Sequence, residues 1–120
     1  MTEVMPTIIA EYLRASDSDD LAKIASFFTE DAIVLDEDKE WHGRSGVREW
    51  RKGVASAYEY TLELLGAERR GGFDGLERWD VFLHLEGNFP GGKVDLTSKF
   101  ALSGGQIARL EIAPTEIDEP

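Results

Sequence analysis

Apolar residues recur every three or four positions through the first half of the chain and every second position through most of the rest, so helices should precede strands. Met5, Ile8, Ile9, Tyr12 and Leu13 form one stripe of a first helix, with Tyr12 on its buried side. The run Ser16-Asp17-Ser18-Asp19-Asp20 supplies turn and N-cap chemistry and places acids where the next helix dipole favours them. That second helix carries Leu21, Ile24, Ala25 and Phe28 on one face. The β-branched and aliphatic stretch Ala32-Ile33-Val34-Leu35 predicts a short strand ending at Asp36-Glu37-Asp38. After Trp41-His42-Gly43, a third helix turns Val47, Trp50 and Val54 inward, with Arg48, Glu49, Arg51 and Lys52 on its wet side.

From Tyr58 the period becomes two. Tyr58, Tyr60, Leu62 and Leu64 alternate with Glu59, Thr61 and Glu63 as in a half-buried strand. A turn at Gly71-Gly72-Phe73-Asp74-Gly75 leads to Trp79, Val81, Leu83 and Leu85, alternating with Asp80, Phe82, His84 and Glu86. Beyond Pro90-Gly91-Gly92, Val94, Leu96, Ser98, Phe100 and Leu102 share a face, and Ser103-Gly104-Gly105 turns into a last strand with Ile107, Leu110 and Ile112. Long strands with short turns should pair as an antiparallel meander. Three helices followed by such a sheet make an α+β layer arrangement, with the helices on one face. The expectation is a single domain over 1–120, with 114–120 as a frayed acidic tail.

Composition narrows the chemistry. The net charge of −11, from 24 acids against 13 bases, repels phosphate backbones and anionic lipid, so neither nucleic acid nor membrane is an expected partner. The absence of cysteine removes disulfides, thiol catalysis and thiolate metal sites. Two histidines far apart in sequence argue against a zinc site, so no metal or other cofactor is expected. Met1-Thr2-Glu3 does not open a signal peptide, and no apolar run approaches the roughly 20 residues of a membrane span. A cytoplasmic location follows as the expectation.

The segments IIAEYLRASDSDDLAKIASFFTEDAIVLDED, WHGRSGVREW and KFALSGGQIARLEI resemble the nuclear transport factor 2-like superfamily, in its SnoaL-like and ketosteroid isomerase-like branch. The phenylalanine-acid-Asp-Ala run at 28–32 and the Gly-Arg-x-x-Val-x-x-Trp run at 43–50 are the most specific parts. The resemblance implies a cone: a curved antiparallel or mixed sheet covered by three N-terminal helices, with an apolar pocket between them. It does not imply one reaction, because the fold hosts isomerases, cyclases, dehydratases, hydrolases and non-catalytic binders. The isomerases use an Asp base with a Tyr and a protonated Asp as oxyanion donors. By resemblance, those positions fall on Asp36, Tyr12 and, one residue displaced, Ser98.

Each has an alternative. Tyr12 is either an oxyanion donor or a core phenol bonded to backbone or water. Asp36 is either a base at the lip of an apolar cavity or a turn residue in an acidic loop with Glu37 and Asp38. Ser98 is the polar exception on its apolar strand face, so it either donates into the pocket or fills a tight place in the core. It is a weaker donor than a protonated carboxyl. Trp41, His42, Trp50 and Phe100 are expected to line the pocket, and His84 to lie on the opposite sheet face. Three functions compete: cofactor-free proton transfer on a small apolar carbonyl compound, of isomerase or cyclase type; non-catalytic binding of a small apolar molecule; and protein interaction, as a homodimer or a hetero-complex, through the face bearing Phe82, His84, Thr97 and Lys99.

Overall fold

In a computed structural model, residues 5–16, 20–57, 59–71 and 76–115 are described; the expected turns at 17–19 and 72–75, Tyr58 and the tail 116–120 lie outside them. The helices among these residues are α1 (Thr7–Ala15), α2 (Leu21–Ser26) and α3 (Gly43–Ala57). The strands are β1 (Phe28–Asp36), β2 (Lys39–His42), β3 (Tyr60–Arg69), β4 (Glu77–Gly87), β5 (Lys93–Ser103) and β6 (Gln106–Pro114). They form one curved open sheet in the order β2-β1-β6-β5-β4-β3. The meander from β3 to β6 is antiparallel, as its two-residue period and short turns require. β1 joins it parallel to β6, which makes the sheet mixed.

Local chemistry sets the helix boundaries. α1 starts after Pro6, whose φ of −54° is preset for a helix entry. Asp20 caps α2 by accepting from Lys23 N at 3.1 Å. Gly43 lets α3 begin directly after β2: its φ is +72°, and a Cβ there would stand 3.2 Å from Glu30 O.

The core lies between the helices and the inner sheet face. Val34, Leu110, Phe100 and Trp79 stand side by side across β1, β6, β5 and β4, all buried. Tyr12 brings α1 onto this row, meeting Phe28 and Phe100 edge-on with ring centroids 5.7 and 5.8 Å apart. Such aromatic pairs add about 0.5–1.5 kcal/mol each beyond the area they bury.

Several expectations are corrected. Phe28 begins β1, because α2 ends at Ser26 and Ile107 N donates to Phe27 O. Its side chain is fully buried at the start of the strand, so an apolar residue at this position also fits the helical spacing of α2. The acidic run 36–38 is the head of a β1–β2 hairpin, with Asp36 opposite Lys39. Arg51 is not on a wet face but buried. Thr97 is covered as well, because Thr115 returns over it, with the two hydroxyls 3.0 Å apart and Thr115 N donating to Asp95 O. Pro114 therefore belongs to β6, opposite Leu96, rather than to a loose tail.

Candidate functional site

Alternation along each strand sends every second side chain to the same face. Two residues beyond the core row, that face carries Asp36 on β1, Ile112 on β6, Ser98 on β5 and Val81 on β4. Here the helices diverge from the sheet and leave a cavity of about 640 Å³. That volume suits a small organic ligand. The walls are mainly aliphatic, with Leu62, Leu83, Leu96 and Ile112 among them. Tyr12, Asp36 and Ser98 all line it, so the three positions singled out in sequence share one cavity. Asp36 and Ser98 are two strands apart, ~10 Å between backbones, and therefore face a common molecule rather than each other.

Asp36 is half-buried and accepts a 2.9 Å hydrogen bond from Trp50 Nε1. Burial pushes its pKa above the ordinary carboxylate value, and neighbouring Glu37 adds to the rise; the Trp50 bond opposes it. The hairpin that presents it is unusual. Glu37 and Asp38 have φ of 52° and 62°, the pairing found in type I′ turns that normally hold Asn or Gly. L-residues there cost roughly 1–2 kcal/mol each, at the mouth of the cavity.

Tyr12 is 4% exposed, and burial pushes its phenol up to about 12, so it stays protonated and able to donate at neutral pH. Ser98 is also 4% exposed. Neither hydroxyl has a hydrogen-bond partner among the described residues, and both residues line the cavity.

Arg51 and Tyr60 also line the cavity, and the sequence reading gave neither a role there. Arg51 Nη2 donates to Ser16 O at 3.1 Å and to Tyr60 Oη at 3.3 Å, and the guanidinium lies over the Trp50 ring at 5.1 Å. Burial alone would lower its pKa; Tyr12, Tyr60 and Asp36 together raise it, so it is a permanent cation.

The other expected lining residues divide. Trp50 is at the cavity. Trp41 sits opposite Val34 on β2, packed against the core, with Gly46 beneath it. His42 is exposed, its Nε2 3.3 Å from Glu40. Phe100 lies in the core row under Tyr12. None of these three is among the residues that line the cavity. His84 is on the far face, between Asp95 at 2.6 Å and Glu86 at 2.8 Å. Among the described residues no group of three His, Asp or Glu could hold a metal ion, and no helix is long and apolar enough to cross a membrane.

Three helices on a curved mixed sheet, with a cavity lined by α1, α3 and the inner sheet face, define a cone-shaped α+β domain. The chain belongs to the SnoaL-like domain family of the nuclear transport factor 2-like superfamily, whose profile matches residues 9–110. It is similar to the crystal structure of a proposed polyketide cyclase from Sinorhizobium meliloti: 31% identity over 91% of this chain and 95% of that one, with a TM-score of 0.82. It is also similar to SalBIII, an epoxide hydrolase/cyclase-like enzyme of pyran ring formation in the polyether salinomycin, at 27% identity, 90% and 88% coverage and a TM-score of 0.71. A Catenulispora acidiphila protein of ketosteroid isomerase-like fold, in complex with trimethylamine, shares the fold at 15% identity, 93% and 88% coverage and a TM-score of 0.79. No curated protein matches the chain.

Proposed function

We propose that the cavity performs cofactor-free proton transfer on a small, largely apolar carbonyl compound, in an isomerase- or cyclase-type reaction. Asp36 is the base, removing a proton from carbon next to the carbonyl. Tyr12 and Ser98 donate to the oxygen on which the charge develops. The observation that carries this reading is the shared cavity: one carboxyl whose proton affinity burial has raised, and two hydroxyls without a hydrogen-bond partner among the described residues. The cyclase-type relatives support the reaction class.

The test is deuterium exchange at the α-carbon of an enolisable ketone such as α-tetralone in heavy water, followed by NMR. Asp36→Asn should lower the rate by about 100- to 10,000-fold. Tyr12→Phe should lower it by about 100-fold. No exchange above buffer across a range of apolar ketones refutes the reaction.

One observation favours a second reading. The Trp50 bond occupies a lone pair of Asp36 and weakens it as a base, as suits a carboxylate that shapes a binding pocket. The cavity then holds a small apolar ligand without turning it over, and the ligand should bind equally well to Asp36→Asn.

A further inference from the structure

Arg51 has a position that neither fold nor proton transfer explains. It is 7% exposed, on the cavity side of α3, in a protein with 24 acids available to pair with its 13 bases. Among the described residues no carboxylate forms an ion pair with it. Its acceptors are both uncharged: the Tyr60 hydroxyl and the carbonyl of Ser16, the C-cap of α1. The negative end of that helix dipole offsets part of the charge, about half an elementary unit. Nε is buried with no acceptor among the described residues. A cation this well covered is costly without an anion.

We propose that Arg51, with the Tyr60 hydroxyl beside it, is the subsite for a carboxylate on the cavity's ligand, so the pocket takes apolar carboxylic acids rather than neutral apolar molecules. The aliphatic wall holds the body of the ligand, and the guanidinium holds its head through charge-assisted hydrogen bonds. The cavity-mouth acids Glu37 and Asp38 disfavour the reverse orientation, with the carboxylate outward. Asp36 favours the charged guanidinium without forming an ion pair with it, and a ligand carboxylate would supply that direct partner. The proposal rests on the cavity being a ligand site, as the proton-transfer reading does, but not on turnover.

Calorimetric titration with octanoate and octanol near neutral pH tests it, with tryptophan fluorescence as a second readout because Arg51 lies on the Trp50 ring. Wild-type protein should bind octanoate at least ~10-fold more tightly than octanol, the value of a hydrogen-bonded charge. Arg51→Met, which keeps side-chain bulk, should abolish that preference while retaining octanol binding. Tyr60→Phe, which spares the cation, should reduce the preference by roughly 2- to 10-fold. Equal binding of the two ligands by wild type, or no binding of either, overturns the proposal without need of a variant. So does an Arg51→Met protein that still prefers octanoate. Failure of α-tetralone exchange beside a preserved octanoate preference would remove only the reaction.

Discussion

The hydrogen bond from Trp50 Nε1 to Asp36 Oδ2 is the contact through which α3 sets the properties of the candidate base, and a double-mutant cycle isolates it. Trp50→Phe removes the donor and shrinks a ring that is 2% exposed; Asp36→Leu removes the acceptor at similar size. The lost packing of Trp50 appears in both arms of the cycle and cancels. The coupling that remains is a hydrogen bond to a charged group, about 1.5–3 kcal/mol. Once the carboxyl is protonated, it falls to that of a neutral bond, about 0.5–1.5 kcal/mol. Urea denaturation of the four proteins at neutral and acidic pH measures both values. The wild-type pH dependence has a fixed sign. Burial raises the folded pKa of Asp36 above its unfolded value, so below the ordinary carboxylate value this group costs nothing, and stability is lost as pH rises through the raised value. Trp50→Phe should steepen that loss, because the bond holds the pKa down. Zero coupling, or a coupling that does not change with pH, would refute the role assigned to the bond.

Ser98→Ala should change stability by less than ~1 kcal/mol in thermal melts, because the hydroxyl has no partner to lose among the described residues; a loss above about 2 kcal/mol would mean that it has one. Gly87→Ala should destabilise by at least ~3 kcal/mol in urea, since its Cβ would collide with Glu59 O and stand 2.6 Å from Tyr60 Cβ; a mild effect would show that β3 can move away. His84 should titrate above the ordinary histidine value by NMR, held there first by Asp95 and then by Glu86, and Asp95→Asn should lower it. Its contribution is complete below the unfolded histidine value and lost as pH rises through the raised one.

Period alone made the sheet legible. The inward residues of β4, from Trp79 through Leu83, and the buried Ser98 follow from alternation of one residue in two. What escaped were features that depend on distant partners. β2 has four residues and no turn signal, since Glu37-Asp38 is a poor sequence for a type I′ hairpin; only pairing with β1 makes it a strand. Thr97 alternates outward as expected, but its cover is supplied by Thr115, eighteen residues away along the chain. His42 and Trp41 precede α3 in sequence, yet the hairpin carries them along the sheet edge and away from the cavity.

Arg51 is a different case, because its pattern was visible and its charge concealed it. It lies four residues after Val47 and three before Val54, squarely on the stripe that buries α3. Assigning every charged residue of that helix to water assumes that a guanidinium is always better solvated outside. That holds where the alternative is an apolar core, and fails where the stripe reaches acceptors set in a largely apolar wall. Val47 is fully buried in the core, whereas Trp50, Arg51 and Val54 reach the cavity, with α1's C-cap carbonyl and a β3 phenol to receive the cation. The charged residue at an apolar helical position was thus the sequence signal that Arg51 is buried with acceptors of its own. Lys52, one position further round and exposed, has no such spacing.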